Sequence, residues 1–142
     1  MTEPVIVPDA SVLLKWSLDS AAEKDQEKAL AIRQGWLAGR HRIILPSIWA
    51  YEVGNILGRK QAGLARELLE IYVGYGFEEE RAADLYERAF DIMSAIGVTF
   101  YNAAYHAVAL KYRGTYISAD DEYVRKARSI GHVIALQDWG MT

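Results

Sequence analysis

The chain lacks cysteine and has only three prolines among its 142 residues. The absence of cysteine excludes disulfide bonds, thiolate metal sites and cysteine nucleophiles. It is compatible with a reducing cytoplasm, where we expect the protein to function. No apolar run is long enough to span a bilayer, and the polar start Met1-Thr2-Glu3-Pro4 is unlike a signal peptide. We therefore expect no membrane partner.

An excess of basic residues is also missing. The chain has 16 lysines and arginines against 19 acids, which gives a net charge of -3. This balance argues against bulk electrostatic attraction to nucleic acid. It does not exclude a nucleic-acid enzyme whose acidic site carries a metal ion. The length predicts a single domain over residues 1–142, large enough to form a core without staples.

Short apolar runs alternate with helical patterns along the chain. We predict strands at Val5–Pro8, Arg42–Pro46, Thr115–Ser118 and 132–136, and helices at 11–17, 21–37, 48–60, 64–73, 78–96, 100–112 and 120–130. The three glutamates 78–80 are expected in the first helical turn, where acids are favoured. Such alternation predicts an α/β fold with a central parallel sheet of short strands, flanked by helices on both faces.

The first strand ends at an acidic residue, Asp9, and a hydroxyl residue, Ser11, follows two positions later. In open α/β sheets the carboxyl ends of buried strands carry the functional groups. The alternative is that Asp9 or Ser11 only caps the helix that follows. This stretch alone does not decide between the two interpretations.

Two further acids occupy unusual places. Glu52 lies in an otherwise apolar helix after the second strand, and Asp120 follows the third strand. Carboxyl ends of parallel strands share one edge, where two charges about 4 Å apart repel by roughly 4 kcal/mol at an effective dielectric of 20. A divalent cation removes that cost, and oxygen ligands select Mg²⁺ or Mn²⁺. The alternatives are an ion pair of Glu52 with Arg59 and a helix-capping box from Ser118 and Asp121.

Four motifs stand in a telling order: Pro8-Asp9-Ala10-Ser11, Tyr51-Glu52, the run from Phe100-Tyr101-Asn102 to Ala109, and Tyr116-Ile117-Ser118-Ala119-Asp120. Together they resemble the PIN domain, and more closely the VapC-type toxins of toxin–antitoxin pairs. The resemblance covers nearly the whole chain. It implies a PIN-like fold and an Mg²⁺- or Mn²⁺-dependent endoribonuclease that cleaves RNA. It also implies a homodimer and a cognate antitoxin that blocks the site.

The resemblance assigns roles to particular residues. It implies that Asp9, Glu52 and Asp120 bind the metal ion and act in catalysis, with Ser11 and Ser118 as supporting hydroxyls near metal or phosphate. The sequence departs from the family at Asn102, where the family has aspartate, although Asn102 still holds the fourth catalytic position. Asparagine keeps a carbonyl oxygen but has lost the negative charge.

Three interpretations of Asn102 stay open. The site is natural and still active with fewer charges, or the residue was introduced to disarm a toxic nuclease, or the chain is a natural pseudoenzyme that binds antitoxin or RNA without cleavage. Our hypothesis is that the substitution weakens or abolishes activity in this chain.

Four basic residues and one histidine are further candidates for functional roles. The basic residues nearest the site in sequence are candidate RNA contacts: Lys15, Arg59, Lys60 and Arg66. The alternative, that each is an ordinary solvated charge, explains them equally well. His106 lies one helical turn after Asn102, but no partners with zinc-ligand spacing accompany it. We therefore predict that His106 is a packed, hydrogen-bonded residue.

Overall fold

The computed structural model describes residues 3–18 and 24–140, which form five strands, seven α-helices and two 3₁₀ turns, at Leu14–Trp16 and Leu136–Asp138. The strands are β1 (Val5–Pro8), β2 (Arg42–Pro46), β3 (Glu78–Glu80), β4 (Thr115–Ser118) and β5 (Val133–Ala135). The helices are α1 (Ala10–Leu13), α2 (Gln26–Leu37), α3 (Trp49–Lys60), α4 (Ala65–Gly74), α5 (Asp84–Ile96), α6 (Phe100–Lys111) and α7 (Asp121–Ala127).

The strands form one parallel sheet in the order β3-β2-β1-β4-β5. β1 is central: the chain builds outward from it through β2 and β3 on one side, and through β4 and β5 on the other. The switch in direction therefore lies between β1 and β4. Open α/β sheets bind ligands at such a switch, beyond the carboxyl ends of the strands. Asp9 and the residues after Ser118 lie at this place.

Both faces of the sheet are covered. All residues of β1 are buried, as are Tyr116, Ile117 and Ser118 in β4. Because successive side chains of a strand point to opposite faces, burial of consecutive residues requires packing on each side. Helix α6 packs against β1, β2 and β4. The predicted α/β class, a parallel sheet between helices, is confirmed.

The strands at 5–8, 42–46 and 115–118 have their predicted bounds, and the last strand is slightly shorter than predicted. The predicted helix at 11–17 is an α-helix only to Leu13 and continues as a 3₁₀ turn. Helix α2 begins at Gln26 rather than 21, and residues 19–23 lie outside the described part of the chain. Within the described ranges, no helix combines the length and the apolar character that crossing a membrane requires.

The prediction for the three glutamates 78–80 is wrong: they form the edge strand β3, which pairs with β2. Tertiary contacts explain the strand. Arg42 of β2 donates two hydrogen bonds to Glu78, at 3.2 and 2.6 Å. Glu80 is buried, accepts the Tyr112 hydroxyl and forms an ion pair with Lys111 at 3.3 Å. These partners outweigh the weak intrinsic preference of glutamate against strands.

We predict that Gly114→Ala lowers the free energy of unfolding by about 2 kcal/mol. A Cβ at Gly114, just before β4, would lie 2.4 Å from the Val5 carbonyl oxygen and 2.9 Å from the Val5 Cβ. Since these atoms belong to β1, the substitution must push the two central strands apart. Chemical denaturation measures the effect.

Gly58→Ala is the matched control, because Gly58 is exposed in α3 and its Cβ would meet no atom within 4 Å. It should raise stability by about 0.5–1 kcal/mol through helix propensity. Equal stability of Gly114→Ala and the wild type would contradict the close β1–β4 approach.

Candidate active site

Asp9 lies at the junction of β1, β4 and α1. Its backbone N–H donates to the Ile117 carbonyl at 3.2 Å, which extends the β1–β4 pairing by one residue. Its side chain is only 4% exposed and also accepts the N–H of Val12, in the first turn of α1. The capping interpretation is therefore correct, and it holds together with a position at the switch point.

Hydrogen-bond donors surround the Asp9 carboxylate. Oδ1 accepts from the Ser11 hydroxyl and from Val12 N–H at 3.3 Å. Oδ2 accepts from the Tyr116 hydroxyl at 2.8 Å and from the Ser118 hydroxyl at 2.7 Å. A carboxylate offers about four acceptor sites, so all of them are used. The structure thus brings the predicted supporting residues Ser11 and Ser118 onto Asp9.

Sequence reasoning missed Tyr116 as a site residue. Tyr116 lies in a buried strand, where an aromatic residue is typical of the core. One feature of the sequence could have indicated it: Tyr116 is two residues before Ser118 and therefore on the same face of β4. That its hydroxyl donates to Asp9 is visible only in the structure.

Glu52 lies in the first turn of α3, which packs against α1. In the described part of the chain, two buried side-chain atoms have no hydrogen-bond partner: Glu52 Oε1 and the Tyr105 hydroxyl. No ion pair formed by residues 3–18 and 24–140 includes Glu52, so the alternative pairing with Arg59 is not found. Glu52 is therefore a half-buried acid with one buried, incompletely satisfied oxygen.

Burial and neighbouring groups shift the pKa values of both acids. Burial raises the pKa of the Asp9 carboxyl, against the effect of its hydrogen bonds. Burial also raises the pKa of Glu52; the nearby Tyr105 hydroxyl opposes this increase, and the negative charge of Asp9 adds to it. Burial and the charges of Glu52 and Asp9 raise the pKa of Tyr105 well above its ordinary value. Each acid thus gains from a proton or a cation, while Tyr105 stays protonated.

Asp120 is connected to Asp9 through Ser118, and Asn102 lines a pocket together with Asp120. Asp120 Oδ1 caps α7 by accepting the N–H groups of Glu122 and Tyr123, at 3.1 and 3.2 Å. Its own N–H donates to the Ser118 hydroxyl at 3.0 Å, so Ser118 links Asp9 to Asp120. The cap of α7 is therefore Asp120, and not the alternative capping box of Ser118 and Asp121. Asn102 and Asp120 share a pocket of about 270 Å³, also lined by Gly97, Val98, Thr99, Glu122, Tyr123 and Lys126.

The predicted ligand set Asp9, Glu52 and Asp120 is not assembled as one group. Among the residues described, no three acidic, imidazole or thiol side chains lie together as a ready metal site. The reason is local, since the Asp120 carboxylate faces the first turn of α7. The donor chemistry nevertheless fits a hard cation, because both Asp9 and Glu52 offer oxygen and Glu52 Oε1 forms no regular hydrogen bond. Asp9 would have to exchange one of its hydrogen-bond donors for the cation.

The predicted RNA contacts are scattered. Lys15 borders a small pocket with Ala119 and Asp121, next to the site edge. Arg59 and Lys60 lie at the far end of α3, about 10 Å along the helix axis from Glu52, and Arg66 borders a separate groove on α4. The structure brings only Lys15 towards the site, and RNA contact by these residues remains a prediction.

His106 is packed and hydrogen-bonded, as predicted. Its ring nitrogens contact the Tyr123 hydroxyl at 2.8 Å and the Gly131 carbonyl at 2.7 Å. The residue is fully buried, and burial lowers its pKa. With both nitrogens engaged, His106 has no position left for a metal ion.

The chain thus has the features of a small α/β domain with an acidic site: a parallel sheet, and acidic side chains near its switch point. The family model of the PIN domain matches residues 6–129, and the chain belongs to the PIN domain family. Among curated proteins, none matches this chain.

Several solved structures share the fold. The crystal structure of PAE2754 from Pyrobaculum aerophilum is 22% identical, with a TM-score of 0.66, over 96% of this chain and 90% of that one. A toxin–antitoxin complex from Klebsiella pneumoniae is 16% identical, with a TM-score of 0.64, over 92% and 97%. VapC20 of Mycobacterium tuberculosis, a sarcin–ricin loop cleaving toxin, is 18% identical, with a TM-score of 0.60, over 80% and 87%.

We predict that Glu52→Gln stabilises the protein without added metal at neutral pH by about 1 kcal/mol, because the neutral amide removes a charge that burial and Asp9 disfavour. The folded protein raises the pKa of Glu52 above its ordinary value of 4.5. Wild-type stability from this group is therefore present at low pH and is lost as the pH rises through the folded-state pKa. The advantage of the variant should vanish as the pH falls below about 4.5.

Denaturation between pH 4 and 8 in a chelating buffer measures this difference. The control is Glu70→Gln on α4, an exposed acid that should leave stability unchanged over the range. A wild type more stable than Glu52→Gln at pH 7.5 would show that Glu52 is adequately solvated or paired.

Proposed function

We propose that this chain is a VapC-type toxin, an endoribonuclease that depends on Mg²⁺ or Mn²⁺. One observation carries the proposal: in a PIN domain, the charge of the buried Asp9 acts on the half-buried Glu52 near the switch point, and Glu52 Oε1 is unsatisfied. Such a pair of acids is costly without a cation and becomes favourable beside one. Acids with perturbed pKa values at such a place are candidates for a functional site.

The structural neighbours support the substrate class and one partner. One neighbour is a toxin that cleaves the sarcin–ricin loop, and another was solved as a toxin–antitoxin complex. By analogy of fold, we propose RNA as the substrate and a cognate antitoxin as the inhibitor.

Asp9 and Glu52 are the residues that would hold the metal ion, with Asp120 as a further ligand if its carboxylate turns from the α7 cap. Bound Mg²⁺ or Mn²⁺ would supply an activated water and balance the charge of the phosphodiester in hydrolysis. The chain itself contributes orientation: Ser11 and Ser118 fix Asp9, and Ser118 also holds the backbone of Asp120. Asn102 offers a neutral amide in the pocket beside them.

The surface carries exposed apolar side chains that could contact an antitoxin or a second copy of the chain. Large apolar side chains are exposed on α3 and α4 and on α5 and α6, among them Tyr51, Ile71, Val73, Phe90 and Tyr101. Exposed aromatic and aliphatic groups of this kind are typical of interfaces. We propose a cytoplasmic homodimer in which each chain is one domain over residues 1–142.

A second candidate function is a PIN-like module that binds antitoxin or RNA without cleavage. Two observations favour it. Asn102 supplies no charge, and the Asp120 carboxylate is engaged at α7 rather than directed at Asp9 and Glu52. A site with two coupled acids attracts a divalent cation less strongly than one with four.

We predict that Asn102→Asp cleaves single-stranded RNA at least tenfold faster than the wild type in the presence of Mn²⁺, because the added carboxylate strengthens cation binding. Calorimetric Mn²⁺ titration should show tighter binding by the variant. Glu52→Gln in the Asn102→Asp background is the control and should abolish cleavage.

The outcomes separate the two functions. Cleavage only by Asn102→Asp supports a nuclease disabled at one residue. Absence of cleavage by both folded proteins would overturn the enzyme in favour of the binding module. Equal Mn²⁺ affinity of the two would show that the charge at position 102 is unimportant.

A further inference from the structure

The Tyr116 side chain is held rigidly beneath the acid site. The residue is fully buried. Its ring stacks on Tyr105, with centroids 6.1 Å apart at 12°, and meets Tyr123 edge-on at 5.3 Å. His106 packs against the same ring at 5.7 Å and is itself fixed by bonds from both nitrogens. This packing directs the Tyr116 hydroxyl at Asp9, where it donates a hydrogen bond to Oδ2 at 2.8 Å.

The two oxygens of Asp9 have unequal environments. Oδ2 accepts hydrogen bonds from the hydroxyls of Tyr116 and Ser118, and both of these residues are fully buried. Oδ1 contacts the hydroxyl of Ser11, a half-buried residue, and, at a long 3.3 Å, the Val12 N–H. The Ser11 hydroxyl also accepts the Ala119 N–H at 3.2 Å, but Ser11 is less buried than Tyr116 and Ser118. Oδ1 is therefore the less enclosed of the two oxygens and the one more accessible to a ligand.

We propose that Tyr116 is a positioning residue of this site: its hydroxyl, with that of Ser118, locks Oδ2 and so directs Oδ1 of Asp9 towards a bound cation. The role rests on the proposed metal-dependent function. Hydrogen bonds to ligating carboxylates orient them, and their loss typically costs about 10–100-fold in metal affinity.

The test compares Tyr116→Phe with Tyr72→Phe. The Tyr72 hydroxyl is equally buried and donates to the Leu13 carbonyl at 2.6 Å, but it does not touch Asp9. Mn²⁺ affinity is measured by calorimetry without RNA, in the wild-type and the Asn102→Asp backgrounds. Tyr116→Phe should weaken Mn²⁺ binding about tenfold or more, and Tyr72→Phe should leave it unchanged.

A metal-free measurement accompanies the titration. A double-mutant cycle combines Tyr116→Phe with Asp9→Asn and follows the unfolding equilibrium in a chelating buffer. We expect a coupling of about tenfold in the unfolding constant, as for a hydrogen bond to a charged group. The same cycle with Tyr72→Phe should show no coupling.

The two measurements together test the positioning role of Tyr116 and separate it from the proposed function. Coupling together with weaker Mn²⁺ binding in Tyr116→Phe supports the positioning role. Absence of coupling, or coupling with unchanged Mn²⁺ affinity, overturns it and leaves the proposed function standing. If neither the wild type nor Asn102→Asp binds Mn²⁺ or cleaves RNA, the proposed function fails, and the positioning role fails with it.

Discussion

The burial of one negative charge, on Asp9, governs the arrangement of the central strands and the first helix. An unpaired carboxylate in the interior costs several kcal/mol, and here four donors offset that cost. Two donors come from α1 and two from β4, so a shift of β4 along β1 would remove half of them. The register of the β1–β4 pair, the start of α1 and the location of the acid site are therefore a single structural solution.

Glu52 is satisfied much less completely than Asp9. Its Oε1 and the Tyr105 hydroxyl form no regular hydrogen bond, although the Tyr105 hydroxyl still lowers the pKa of Glu52. Tyr105 also stacks on Tyr116, whose hydroxyl donates to Asp9. Both acids are therefore next to one pair of stacked tyrosines, from α6 and β4. On the proposed function, the scaffold fixes Asp9 by four hydrogen bonds and leaves Glu52 Oε1 open to a ligand.

Spacing predicted most of what positions this site, because short apolar strands and the residues that end them are local properties of the chain. The strand ends predicted that Asp9 and Asp120 lie at one edge of the sheet, and Ser118 connects the two in the structure. The positions of Ser11 and Ser118 as supporting hydroxyls came from the resemblance to the PIN domain. Strand β3 was not predictable, since its stability comes from Arg42, Lys111 and Tyr112, which are distant in sequence. The same holds for Tyr116, whose hydroxyl reaches Asp9 only because β4 lies beside β1. The orientation of Asp120 was open, because a capping aspartate and a ligating aspartate are the same residue in the same place.

On the proposed function, a carboxylate at position 102 would have two opposite effects. Asp9 already raises the pKa of Glu52, and a further carboxylate near them would add to that repulsion. Beside a bound cation, the same carboxylate would add attraction. The neutral amide of Asn102 would remove both contributions, which favours folding stability and weakens cation binding. Asn102, where the sequence departs from the resemblance to VapC-type toxins, is therefore the position at which the proposed function sets folding stability against metal binding, whichever way the residue arose.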